Sequence, residues 1–276
     1  MTKVRTEESR ILPLGSMEIL TVAITLYKSH FLLLAGISAV VSVPYFILYY
    51  ALTDVGCNST IAYMSTFIRN PILSAALVFA VYETCLSREV SVIKSYQHIL
   101  HSSLVLPLMG AYSIPFALCM LLMWVVSLDI SKLVFCMPAM LIYFPFMIYV
   151  GIRLLLIVPI CVLERTGARA TLTRSWNLMK GSMGKAFWLY AAILFMFGGA
   201  YCILLQFGHM LSSTGDNMLT NTTLGHVITS IIGLLIAPVF TLTNVFLYYD
   251  IRARQEGFDK KALLTKLDNN FGGVGQ

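Results

Sequence analysis

Charge is scarce in this sequence. Of its 276 residues only 12% are Asp, Glu, Lys or Arg, against 58% hydrophobic, and the mean hydropathy is +0.80. A soluble domain of this size carries about a quarter charged residues, so the composition excludes a water-soluble globule and indicates an integral membrane protein. The signatures of common chemistries are missing too. The five histidines, His30, His98, His101, His209 and His226, form no HxE or HExxH pattern. There is no Walker sequence, no GxSxG elbow and no glycine-rich phosphate loop, so ATP-driven transport and serine hydrolysis lack their parts. His98 and His101 come nearest to a metal pair, but Lys94 beside them repels a cation. No catalytic residue, metal, cofactor or nucleic-acid partner is expected. The six cysteines form no CxxC pair, and five of them lie in apolar segments, where they serve as small core residues; Cys57 stands in a loop.

Long apolar runs are what the chain does have. A bilayer core of about 30 Å needs roughly 20 apolar residues per helix. Six segments meet this, at about 31–52, 62–86, 103–128, 133–162, 186–211 and 225–249. The expected fold is therefore all-α, a single polytopic transmembrane domain over 1–276 with a short tail at 251–276. Arg69, Asn70 and Pro71 interrupt the start of the second segment. The fourth is long enough to tilt or kink and carries Pro138, Pro145 and Pro159.

Basic residues orient the spans. Lys3, Arg5, Arg10 and Lys28 precede the first. Arg88 and Lys94 lie between the second and third. Arg165, Arg169, Arg174, Lys180 and Lys185 lie between the fourth and fifth, and Arg252, Arg254, Lys260, Lys261 and Lys266 follow the sixth. Only Arg69 and Lys132 fall on the other side, with Arg153 inside a span. Both termini are thus expected in the cytoplasm, in a bacterial inner membrane. The N-terminus mixes charges of both signs and lacks a small-residue cleavage site, so the first span is expected to direct its own insertion.

The cytoplasmic segments are patterned. Met17, Leu20, Ile24 and Tyr27 oppose Glu18, Thr21, Thr25 and Lys28. Ile93, Tyr96 and Leu100 oppose Lys94, His98 and His101. Leu172, Trp176, Met179 and Met183 oppose Thr173, Asn177 and Lys180. These spacings predict three amphipathic helices with apolar faces suited to the membrane boundary. Each leads through a small or basic turn into a span, which suggests a threefold repeat of interfacial helix and transmembrane hairpin.

Two stretches carry a family resemblance. VLERTGARATLTRSWNLMKGSMGKAFW at 162–188 places an acid and a short turn before an Arg-Ser-Trp helix, and LYYDIRARQEGFD at 247–259 closes the last span. With the opening MEILTVAITLYKSHF, they resemble the glycerophosphoryl diester phosphodiesterase membrane domain family and related bacterial membrane proteins. Thr171-Leu172-Thr173 departs from a more basic run there. In the named enzymes the phosphodiester chemistry belongs to a separate barrel domain, which needs about 250 residues. The resemblance therefore implies the membrane module without the hydrolase, since the residues after Asp259 are too few for an active site.

Ionisable groups at or within the bilayer give the candidate site. Arg153 could hold a lipid phosphate or an anionic substrate, pair with Glu83, or snorkel to the interface. Arg169, Arg174, Lys180 and Lys185 beside Trp176 form a basic, aromatic collar that attracts anionic headgroups, with Glu164 at the same headgroup level. In the closing stretch Asp250 and Arg254 are spaced to pair over one helical turn. Arg252 is left to reach a phosphate or Glu164, and Gly257 and Phe258 would end the helix and turn back. The expected function is a non-catalytic module that binds or organises lipid, or a membrane protein partner. A transporter or permease-like component for a small amphiphilic solute is the alternative, cued by Arg153 and the proline-interrupted helices.

Overall fold

The computed structural model describes residues 15–54, 59–85, 90–126, 130–199 and 218–256. Among them the chain is helical apart from short turns, with no strand. The helices are α1 (Ser16–Ser29), α2 (Phe31–Asp54), α3 (Ser59–Cys85), α4 (Val92–His101), α5 (Val105–Val126), α6 (Ile130–Arg153), α7 (Ile157–Glu164), α8 (Ala168–Leu178), α9 (Met183–Ile193) and α10 (Met218–Glu256). Helix α9 runs on into a π-helical turn at Leu194–Gly198. Among the described residues three stretches are long and apolar enough to cross a membrane, Phe31–Leu48, Tyr143–Glu164 and Ser230–Glu256. Two bent pairs raise the number to five if each is one span. Val92–His101 turns by 88° into Val105–Leu118, and Ala168–Leu178 by 94° into Met183–Gly198.

The expected fourth span is not one helix. Pro159 has no N–H for the Leu155 carbonyl, and its ring would press on that carbonyl in a continuous helix. The chain instead tightens at Leu154–Leu156, with the Leu155 and Ile157 amides bonded three residues back, to Ile152 and Leu154, at 3.3 and 3.2 Å. Pro159 then falls in the first turn of α7, where a missing donor costs nothing. Pro44, Pro71, Pro115 and Pro238 lie inside helices, which neighbouring helices make tolerable.

All three short amphipathic helices form, and their starts follow local rules. Glu18 reaches back to the Gly15 amide at 2.7 Å, and the Ser91 hydroxyl accepts the Lys94 amide at 3.2 Å. Helix α8 follows a sharp reversal in which Arg165 adopts a left-handed conformation at φ 50°. It leaves through Gly181 at φ 82°, a backbone shape that glycine adopts freely.

The faces these helices bury differ from expectation. The buried residues of α1 are Ile19, Leu20 and Ala23, and those of α4 are Ser95, Tyr96 and Ile99. In α8, Thr171 and Ser175 are buried with Leu172 partly so. Counted from the N-caps Gly15, Ser91 and Gly167, these are the same three positions each time. They face protein rather than a membrane boundary. Helix α1 packs on α9 and α10, α4 on α2 and α3, and α8 on α5, α7 and α10. Met17, Ile93 and Leu100, on the apolar stripes suited to the membrane boundary, are exposed. At the α5–α8 crossing the backbones approach so closely that a Cβ on Gly110 would stand 3.1 Å from the Ala168 Cβ.

Helices α3, α7 and α10 touch one another and form the centre. Leu77, Val81 and Tyr82, Leu156, Ile160 and Leu163, and Leu242, Val245 and Tyr248 are all at most 1% exposed there. Two of these helices also match in sequence. Pro71, Ser74, Val78, Phe79, Tyr82 and Glu83 recur at the same spacing as Pro238, Thr241, Val245, Phe246, Tyr249 and Asp250. Of the described cysteines, Cys161 is buried as expected and Cys85 is exposed.

Candidate functional site

The collar residues converge where α7 ends, α8 begins and α10 leaves the bundle. Glu164, the last residue of α7, is the hub. Its carboxylate takes Arg174 of α8 at 3.2 Å, Arg252 of α10 at 3.6 Å and the Tyr248 hydroxyl at 2.8 Å. Arg252 also donates to the Tyr248 hydroxyl at 2.6 Å and to Glu256 at 2.8 Å. Glu256 closes the cycle by pairing with Arg174. Two guanidiniums thus share two carboxylates across three helices, and a phenol sits among them. Burial alone would lower the pKa of the Arg174 guanidinium, but Glu164 and Glu256 outweigh it and the net shift is upward. Arg174 keeps its charge at every accessible pH.

A second knot lies beside the first. The Asp250 carboxylate is fully buried and takes Lys185 of α9 as well as Arg254 one turn along α10 at 3.0 Å. Between the knots, Gln255 donates to the Leu178 and Lys180 carbonyls at 2.7 and 3.0 Å. These are end carbonyls of α8 that lack intrahelical partners. The emerging end of α10 is thus fastened to α7, α8 and α9 by side chains of every polar type.

Arg153 occupies a separate aromatic box. It donates to the Trp176 carbonyl at 2.8 Å and to the Tyr149 hydroxyl at 3.1 Å, and Glu83 is not among its partners. Its guanidinium carbon lies 4.9 Å from the Trp176 ring centre and 5.2 Å from that of Tyr149, within cation–π range. Ser175 returns a bond to the Arg153 carbonyl at 2.8 Å. Arg153 and Trp176 therefore tie the break between α6 and α7 to α8.

Of the residues singled out in the sequence, Glu164, Arg174 and Arg252 meet in the first knot, Asp250 and Arg254 in the second, and Arg153 and Trp176 in the box. Arg169 is exposed on α8 and Lys180 in the turn after it, and Glu83 is half-buried in the last turn of α3. Gly257 and Phe258 lie outside the described residues. Tyr149, Tyr248, Gln255 and Glu256 were missed, and Lys185, grouped with the headgroup-attracting basic residues, instead pairs with Asp250. The Asp250–Arg254 spacing could have flagged Glu256, four residues after Arg252, and likewise Tyr149, four before Arg153, and Tyr248, four before Arg252; the partners of Lys185 and Gln255 lie 65 to 77 residues away. Among the described residues no group of three His, Cys, Asp or Glu could hold a metal ion.

The family model for the membrane domain of glycerophosphoryl diester phosphodiesterase matches residues 129–271, a little over half the chain, and spans all three clusters. No curated protein and no solved structure matches the chain.

Proposed function

Because the chain belongs to the family of the membrane domain of glycerophosphoryl diester phosphodiesterase, we propose that it is a non-catalytic membrane module that gathers anionic lipid, or a membrane partner, at a basic cytoplasmic collar. The family part it matches is the membrane domain and not the catalytic one. The observation that carries the reading is how the basic residues divide. Arg174, Lys185, Arg252 and Arg254 are taken up by Glu164, Asp250 and Glu256. Lys28, Lys94, Arg169 and Lys180 stand exposed on the short helices or at the α8 terminus. The first set fastens the fold. The second faces outward, where each basic residue near an anionic surface contributes about 1 kcal/mol.

The module comprises six spans in three repeats, inserted in a bacterial inner membrane with both termini cytoplasmic. Support comes from the buried positions shared by α1, α4 and α8, and from the matched sequences of α3 and α10. The contacts add a cyclic order. Helix α4 of the second unit lies on the hairpin of the first, α8 of the third lies on that of the second, and α1 of the first lies on that of the third. The repeat extends into residues that the family model does not cover.

The transporter alternative draws on the break at Leu154–Leu156 beside Arg153. Against it, the Arg153 guanidinium is committed to a carbonyl, a phenol and two rings, and the central helices are tightly packed.

The test is purification in mild detergent with mass spectrometry of bound lipids and proteins. Anionic phospholipid should be enriched, and the double change Arg169→Gln with Lys180→Gln should cut that enrichment about thirtyfold, at about 1 kcal/mol per charge. Recovery of neither lipid nor partner, with solute flux in vesicles, would replace this reading with the alternative.

A further inference from the structure

One cavity lies away from the collar. It is a groove of about 350 Å³ between the end of α9 and the middle of α10, lined by Ile193, Leu194, Phe197, Ile232, Ile236 and Phe240, with Gly198, Gly233 and Ala237 opening it. All nine residues are apolar. At its collar-side end the Tyr190 hydroxyl, which would otherwise present a polar group, bonds to Asn244, and the Tyr190 ring packs on Phe240 at 5.8 Å. The π-helical turn at Leu194–Gly198 forms one wall. Such wide turns are uncommon and recur at functional sites.

Depth and width select the occupant. Lys185 marks the collar end of α9. Leu194 and Phe197 follow it by nine and twelve residues, about 14–18 Å at the rise of a helix. Half of a bilayer core is about 15 Å, so the groove sits where the acyl chains of the cytoplasmic leaflet end. Ile232 to Phe240 covers about 12 Å of helix. Spread over that length, 350 Å³ gives a cross-section of roughly 30 Å², less than half that of a helix of about 10 Å diameter. A polymethylene chain fits where a partner helix does not. Lys180, exposed at the mouth of the same α8–α9 turn, supplies the charge that a headgroup at the other end of that chain would meet.

We propose that this groove seats one acyl chain of an anionic phospholipid whose headgroup lies on the collar. The proposal rests on the lipid-collar reading and adds to it a chain-binding site lined by α9 and α10. A lipid held at both ends is a structural ligand with a defined place rather than part of a diffuse cloud.

The test uses the full chain reconstituted in phosphatidylcholine nanodiscs containing phosphatidylglycerol with a photoactivatable diazirine at the end of one acyl chain. After irradiation, adducts are mapped by mass spectrometry. They should concentrate on Leu194, Phe197, Ile232 and Ile236 relative to Leu106, which is 83% exposed on α5. Gly233→Leu should reduce the groove adducts at least about fivefold while sparing those at Leu106. A Cβ at Gly233 meets nothing within 4 Å, and Gly233 lines the groove, so the backbone leaves room for the substitution; Ala237→Phe is the second groove-filling variant, should the first misfold. Equal labelling of the groove and Leu106, unchanged by either variant, overturns the proposal. Repeating the labelling with phosphatidylcholine carrying the same chain separates the two ideas. Equal groove adducts with either headgroup keep the groove and remove the anionic collar. Enrichment of phosphatidylglycerol that depends on Arg169 and Lys180, without groove adducts, does the reverse.

Discussion

Helices α4 and α8 dock with the same face but are held by different chemistry. Seven residues after its N-cap, α8 carries Arg174, locked between Glu164 and Glu256. At the same position α4 carries His98, stacked flat on Phe79 of α3 at 4.1 Å with Arg165 3.5 Å from its ring nitrogen. Burial, and then the charge of Arg165, push the His98 pKa below its ordinary 6.5. One joint is fixed by permanent charges. The other relies on a ring that must stay neutral. An identical packing register therefore does not impose an identical response to solvent.

The largest effect should come from the charge-locked joint. Glu164→Ala takes one acceptor from Arg174, Arg252 and the Tyr248 hydroxyl at once, leaves Glu256 alone to face both guanidiniums, and should cost about 3 kcal/mol, read as a drop in thermal unfolding temperature in detergent. Glu164→Gln, which keeps an acceptor for Tyr248, should cost less. If alanine and glutamine behave alike, charge is not what holds α8.

Next come two matched hydroxyl deletions. Tyr96→Phe removes the bond to the Ile37 carbonyl at 2.6 Å that ties α4 to α2, and Tyr248→Phe removes the phenol from the first knot. Each should cost about 1 kcal/mol. Tyr248→Phe should lose its effect in the Glu164→Ala background, whereas Tyr96→Phe should add to it in full.

Titration separates the joints further. Folding lowers the His98 pKa, so the unfolded chain binds the proton more readily. The contribution of His98 is intact above pH 6.5 and declines as pH falls through the folded value. Protease protection of α4 should weaken between about pH 7 and about pH 5 while that of α8 holds, and His98→Gln should abolish the difference. Smallest of all is Arg254→Ala. Its side chain is 41% exposed and Lys185 still neutralises Asp250, so the cost should stay below about 1 kcal/mol in the same unfolding assay. For the same reason, exchanging the charges of Asp250 and Arg254 should not restore stability, because the new cation at 250 would face Lys185.

What the sequence disclosed follows from how far apart partners lie. Asp250 and Arg254 are one turn apart, and their pairing could be read directly. Glu164 and Arg252 could be joined because both stand in the family's signature stretches. Lys185 could not be assigned, nor could the bond of Tyr248 to Glu164, because these partners lie 65 and 84 residues away and a single side chain does not announce a distant acceptor. Arg153 was open for a related reason, since its main acceptor is a backbone carbonyl and carries no side-chain signal. The short helices were visible as stripes, yet a stripe cannot tell lipid from protein. Ser95, Thr171 and Ser175 are buried because each hydroxyl bonds to a backbone carbonyl, those of Ser91, Gly167 and Arg153. In a hydropathy pattern they look like surface.

The packing of α1 on α9 and α10 bears on how the chain is made. Synthesis proceeds from the N-terminus, so α1 emerges first, while the surface that covers Ile19, Leu20 and Ala23 is completed only when residues up to 256 have left the ribosome. Helix α4 finds α2 and α3 already built, and α8 finds α5 and α7 and gains α10 only later; α1 must wait for both α9 and α10 with its inner face uncovered. A polypeptide cut short in α10 would leave that face exposed at the membrane, in reach of the proteases and chaperones that remove unfinished chains.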